Sequence, residues 1–116
     1  MITGAHHIIS AHDADAARAF FRDVLGFEAV DAGGGWLIFA LPPTELAVHP
    51  TVDGIPVHQL YLMCDDIEAT IEELGAKGVE FEGGVADEGW GLVAQMRVPG
   101  AGPLGIYEPR HASPLG

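Results

Sequence analysis

Two histidines, His6 and His58, begin apolar segments that lie roughly 50 residues apart, and Gln59 directly follows the second. Imidazole binds divalent metals and can act as a general acid or base near neutral pH. An amide such as Gln59 binds transition metals poorly but suits a polar pocket. These positions therefore decide between a metalloenzyme and a metal-free binding pocket.

A second set of side chains suits contacts with an organic ligand. Aromatic faces bind flat molecules by stacking, although each aromatic residue alone could equally belong to the core. Four such residues fall in or beside segments with strand character: Trp36, Tyr61, Trp90 and Tyr107.

The composition restricts the class of partner. The 116 residues carry a formal charge of -12, from 5 Lys+Arg against 17 Asp+Glu. This argues against nucleic acid, because phosphate contacts require Lys and Arg. It favours a cationic small molecule, or serves solubility alone. The single Cys64 excludes an internal disulfide and is expected to be a buried, inert thiol. Without a leader or a spanning apolar run, we expect a cytoplasmic protein that does not enter a membrane.

The periodicity predicts two helices, each beginning at an aspartate and ending before a glycine. Asp13 is the expected N-cap of the first helix, and Asp65 or Asp66 that of the second, with Glu68 completing a capping box. The tail after Pro109 is expected to be loose. Predicted strands cover residues 4–11, 27–31, 36–41, 45–49, 57–64, 79–85, 90–98 and 104–108.

The two halves, about 4–50 and 57–109, repeat the order strand, helix, short strands. In this pattern the chain resembles the vicinal oxygen chelate superfamily, which includes glyoxalases, bleomycin-resistance proteins and extradiol dioxygenases. The resemblance implies one α+β domain over 1–116, with two βαβββ modules forming a cup-shaped mixed sheet flanked by helices, and a homodimer. It is carried by the runs HHII from residue 6, FFRDVLGF from 20, DDIEA from 65, KGVEF from 77 and LGIYEP from 104.

The resemblance also locates four metal-ligand positions. His6 stands at the first and Gln59 at the second. Gly105 stands where the last strand usually has Glu. The remaining position falls near Ala47 or His49, with Glu45 close by. A catalytic site needs about three protein ligands and an open position, so this set is poor.

The alternation of side chains along a strand tests the position of Gln59 independently. It places Gln59, Tyr61 and Met63 in the cup, and His58 with Leu60 under the second helix. By the same alternation, His6 faces the cup and His7 lies under the first helix. The spacing of the repeat instead pairs His6 with His58, and we give more weight to the alternation.

We therefore expect a metal-free protein that binds a small organic molecule and requires no cofactor. By resemblance to the bleomycin-resistance proteins, it would sequester an antibiotic or an aromatic metabolite. The expected ligand-binding residues are His6, Trp36, His49, Gln59, Tyr61, Trp90 and Tyr107.

Two enzymatic alternatives stay open. One is a glyoxalase-like lyase or isomerase, or an extradiol-type dioxygenase, that uses Zn, Ni, Mn or Fe held by His6, His58 and Glu108. It requires the last strand to slip so that Glu108 turns inward. The other is a metal-free enzyme with His6 as general base.

Overall fold

The computed structural model describes residues 6–51, 53–55 and 57–115, which form two sheets and two helices. A two-stranded antiparallel sheet pairs β1 with β2, and a four-stranded mixed sheet has the order β3, β6, β5, β4. Strand β3 runs parallel to β6, whereas β5 is antiparallel to both β4 and β6. The strands are β1 (Ala29–Asp31), β2 (Leu37–Phe39), β3 (Tyr61–Met63), β4 (Phe81–Asp87), β5 (Gly91–Val98) and β6 (Gly102–Pro109).

The helices are α1 (Ala14–Ala19), which continues as a π-helical turn over Phe20–Val24, and α2 (Ile67–Ala76). An aspartate side chain caps each of them. Asp13 accepts a hydrogen bond from the backbone N–H of Ala16 at 3.0 Å, as predicted. Asp66 accepts one from Ala69 at 3.1 Å. The cap of α2 is thus Asp66, and the predicted capping box is wrong because Glu68 lies one position too early to complete it.

The hydrophobic core lies on one face of the four-stranded sheet, under both helices. Phe20 and Phe21 reach it from the π-helical turn, with their rings in an edge-to-face contact at 5.7 Å. Ile67 and Met96 are fully buried in its centre. The main-chain N–H groups of His12 and Asp13 both donate to the Gly100 oxygen, which fixes the start of α1 to the β5–β6 turn.

The described residues up to 64 contain fewer and shorter strands than predicted. Residues 6–11 and 45–49 form no regular strand, and the strand predicted over 57–64 is reduced to β3. A strand needs a neighbour to accept its backbone hydrogen bonds, and among the described residues β1 and β2 pair with each other and with no third strand. Leu46 and Val48 consequently lie exposed, at 90% and 88%. The part of the predicted strand over residues 4 and 5 lies outside the described residues.

No helix in the described ranges is long and apolar enough to cross a membrane.

Candidate functional site

The face of the four-stranded sheet opposite the helices forms the floor of the cup. Tyr61 and Met63 of β3 are in register with Gly105 and Tyr107 of β6, so these residues share one face. Leu60, like Leu62 and Cys64, packs against the core on the other face. The alternation predicted for Tyr61 and Met63 is therefore observed.

Four aromatic side chains meet on this face. We call Tyr61, Trp90, Tyr107 and His49 the aromatic cluster. The distance between ring centroids is 5.3 Å for Trp90 and Tyr107, 5.7 Å for Tyr61 and Tyr107, and 6.0 Å for Tyr61 and Trp90. The ring centroids of His49 and Trp90 lie 6.4 Å apart. All four pairs are edge-to-face, a favourable arrangement of ring quadrupoles.

The position of Tyr61 depends on the absence of a side chain at Gly105. A Cβ atom built on Gly105 would overlap the Tyr61 ring. Gly91 plays a similar part, because a Cβ there would stand 3.0 Å from the Tyr107 ring and 2.8 Å from the Glu108 main-chain oxygen. Two glycines on β5 and β6 thus allow the tyrosine rings to lie close to the sheet.

A carboxylate that was not among the predicted ligand-binding residues lies beside the aromatic cluster. The Tyr107 hydroxyl donates to Oε1 of Glu45 at 2.5 Å, and the Ser113 hydroxyl donates to Oε2 at 2.6 Å. Nε2 of His111 lies 3.4 Å from Oε1. The Glu45 side chain is only 15% exposed. In the sequence, its signals are a charged residue before a short apolar segment and its closeness to the family's ligand position near Ala47 or His49.

These contacts shift the pKa values of both partners. The hydrogen bond from Ser113, and then the one from Tyr107, lower the pKa of the Glu45 carboxyl, because hydrogen bonds to the ionised form favour it. Burial, followed by the hydrogen bond to Glu45, raises the pKa of Tyr107 to about 12. Near neutral pH the pair is therefore an ionised carboxylate and a hydroxyl that donates to it.

The chain after Pro109 is attached to this site, so the prediction of a loose tail is wrong. The N–H of Arg110 donates to the Trp90 oxygen at 2.9 Å, and its guanidinium forms an ion pair with Asp87 at 3.1 Å. The His111 ring stacks on Tyr107 at 6.2 Å. The contacts of Arg110 with Asp87 and Trp90, which no local sequence pattern reveals, hold the segment in place.

A half-open cleft of about 290 Å³ adjoins the cluster and shares Tyr61 with it. Its other lining residues include Gln59, His58, His7 and Gln95. The amide of Gln59 thus belongs to this cleft. Here His7 accompanies Gln59, where the alternation had predicted His6, because residues 6–11 follow no regular strand pleat.

The remaining predicted residues lie elsewhere. His6 is exposed. Trp36 is 69% exposed, and the Arg18 guanidinium lies over its ring at 5.1 Å from the centroid, a cation–π contact. The structure therefore brings His49, Tyr61, Trp90 and Tyr107 together, places Gln59 in the adjoining cleft, and adds Glu45, His111 and Ser113.

The residues of the metal-dependent alternative do not converge. Glu108 lies on the helix side of β6, where Oε1 accepts a hydrogen bond from the Ile67 N–H at 3.1 Å. His58 is exposed beside the cleft. In residues 6–51, 53–55 and 57–115, no three His, Cys, Asp or Glu side chains are grouped so that they could hold a metal ion. Burial raises the pKa of the half-buried Cys64 thiol, which disfavours the thiolate as a ligand or nucleophile.

Comparison with known proteins agrees with this architecture. The family model of the glyoxalase/bleomycin resistance protein/dioxygenase superfamily matches residues 4–111. The chain belongs to this superfamily.

Solved structures with the same fold include proteins of different kinds. A lactoylglutathione lyase from Agrobacterium tumefaciens is 22% identical, with 92% of this chain and 94% of that chain covered and a TM-score of 0.63. TnmS3, an antibiotic binding protein from Streptomyces sp. CB03234, is 22% identical, with 93% and 99% covered and a TM-score of 0.61. A superfamily member from Sphaerobacter thermophilus is 22% identical, with 92% and 98% covered and a TM-score of 0.64. A comparison with curated protein sequences gave no match.

Proposed function

We propose that this protein binds a small aromatic molecule, an antibiotic or an aromatic metabolite, and sequesters it without a catalytic metal. The observation that carries the proposal is the aromatic cluster, in which Tyr61, Trp90 and Tyr107 form three mutual edge-to-face pairs beside an open cleft. Tyr61, the member of the cluster that lines the cleft, offers a flat ligand an aromatic ring there.

The positions of two side chains support ligand binding rather than metal-assisted catalysis. Tyr61 fills the space that a carboxylate side chain at Gly105 would need. Glu108, the carboxylate of the metal-dependent alternative, bonds to the first turn of α2. A protein with the same fold, TnmS3, is an antibiotic binding protein, which is the kind of function proposed here.

The test is a ligand screen in which binding is detected by the fluorescence of Trp90. In a Trp36→Phe variant Trp90 is the one remaining tryptophan, so its fluorescence reports on the cluster. We expect saturable changes with a subset of polycyclic aromatic compounds, and weaker binding after Tyr61→Ala. If the compound is recovered chemically altered, the protein is an enzyme, and the proposal that it only sequesters its ligand is wrong.

We also propose that the protein is a homodimer. Apolar side chains of the first half lie open to solvent, among them Ile8 at 76%, Leu46 at 90% and Val48 at 88%. Covering such side chains with a second copy of the chain would remove apolar surface from water. Light scattering after size-exclusion chromatography should give twice the chain mass of 12.2 kDa, and Leu46→Glu with Val48→Glu should give a monomer. A monomeric wild-type protein would contradict the proposal.

A further inference from the structure

We propose that Glu45 recognises a positively charged group on the bound molecule, and that the tail, residues 110–115, competes with this group for the carboxylate. The inference rests on the proposed function, because it assigns the ligand class and the control of the same site. The ligand would be an aromatic molecule with an ammonium or guanidinium group.

The charge of Glu45 is only weakly compensated within the protein. Its carboxylate is 15% exposed, and its one ion-pair partner in the described chain is His111 at 3.4 Å. The two short hydrogen bonds come from neutral hydroxyls, those of Tyr107 and Ser113. A partly buried carboxylate is stabilised further by a full positive charge, and each oxygen can accept more than one hydrogen bond.

The surroundings of Glu45 also favour a cation. Tyr107, which donates to Glu45, belongs to the aromatic cluster with Trp90 and Tyr61. Aromatic rings attract ammonium and guanidinium groups through their quadrupoles. The formal charge of -12 adds a long-range field that draws cations to the protein.

The tail supplies the donor that the ligand would replace. The Ser113 hydroxyl bonds Oε2 of Glu45, while its own oxygen accepts the Leu115 N–H at 3.1 Å. Most of the tail is solvent-exposed, and beyond Arg110 its side-chain contacts include those of His111 with Tyr107 and of Ser113 with Glu45. Segments with few buried contacts open at low free-energy cost. An ammonium N–H that reaches Oε2 would compete directly with Ser113.

The test compares two probes of the same shape that differ in charge. The first is 2-naphthylmethylamine, which is protonated at pH 7, and the second is neutral 2-naphthylmethanol. Binding to the protein is followed by NMR through the Trp90 indole N–H. We expect the amine to bind about tenfold more tightly than the alcohol, since hydrogen bonds to charged groups are the stronger class. In Glu45→Gln the two affinities should become equal.

The tail is tested in the same titration. Ser113→Ala should tighten amine binding several-fold, whereas Leu115→Ala, which removes an exposed side chain of the same tail, should leave it unchanged. Equal affinities of the two probes for the wild-type protein would refute recognition of a cation while leaving the proposed function in place. Unchanged amine affinity in Ser113→Ala would refute the tail's role. If neither probe binds and no neutral aromatic compound does, both the proposed function and this inference fail.

Discussion

The ring of Tyr61 lies over Gly105, in the space that any side chain at position 105 would occupy. The two residues face each other across the parallel β3–β6 pair. By resemblance to the family, position 105 is where the last strand would carry a metal-binding glutamate. The β3–β6 pair therefore has an aromatic ring at the place of a metal-binding carboxylate. This contact favours a site for an aromatic molecule over a metal site.

Gly105→Ala should destabilise the protein by about 1–3 kcal/mol, because the added methyl group overlaps Tyr61 in a packed position. Urea unfolding measures the change. Gly84→Ala is the matched control on β4, since a Cβ there meets nothing within 4 Å. In a Tyr61→Ala background the cost of Gly105→Ala should fall sharply. Equal costs in both backgrounds would show that the contact with Tyr61 is not the cause.

Gly75→Ala should stabilise the protein by about 0.5–1 kcal/mol. Gly75 lies within α2, is exposed, and has open space where a Cβ would stand. Alanine reduces the conformational freedom of the unfolded chain and has the higher helix propensity. Thermal or urea unfolding gives the result, and a loss of stability would mean that this face of α2 packs against something else.

Glu108→Ala should cost about 1 kcal/mol of unfolding free energy, because the Ile67 N–H loses its acceptor at the start of α2. Glu72→Ala, on the exposed surface of the same helix, should change stability by less than about 0.5 kcal/mol. If Glu108→Ala leaves stability unchanged but abolishes a thermal shift induced by Zn, Ni, Mn or Fe(II), Glu108 is a metal ligand and the metal-dependent alternative is correct.

The pH dependence of stability should report the Glu45 contacts. The pKa of Glu45 is lowered in the folded protein by the hydrogen bonds from Ser113 and Tyr107. A lowered folded pKa stabilises the fold above the unfolded value of about 4.3, and this contribution is lost as the pH falls through the folded pKa. The Tm difference between wild type and Glu45→Gln should therefore shrink as the pH falls below about 4. A difference that grows in acid would contradict the assignment.

Much of the fold follows from local patterns in the sequence. The aspartate caps at Asp13 and Asp66 and the helices after them could be predicted, because capping and apolar periodicity act within one or two turns. The faces of β3 could be predicted too, since placing Leu60 and Leu62 in the cup would expose apolar side chains. The strands predicted over 4–11 and 45–49 are absent from the described residues 6–11 and 45–49, because an apolar pattern predicts a strand only where a neighbouring strand pairs with it.

The candidate site is harder to predict from the sequence, because its decisive contacts join residues far apart in the chain. Glu45 meets Tyr107 and Ser113 across 62 and 68 residues of chain. No periodicity or motif links positions so far apart. The cluster residues Tyr61, Trp90 and Tyr107 could be predicted individually as aromatic residues in or next to strands. Their convergence, and the separation of His6 and Trp36 from them, depends on the sheet register.

The most direct measurement is a fluorescence titration of the Trp36→Phe variant with a panel of cationic and neutral polycyclic aromatic compounds, repeated with Tyr61→Ala added. We predict a saturable change in Trp90 emission with one site per chain for at least one compound, weakened at least about tenfold by Tyr61→Ala, because that substitution removes a ring from the site. If no compound gives a saturable change, or if binding is the same without the Tyr61 ring, the aromatic cluster is not a ligand site.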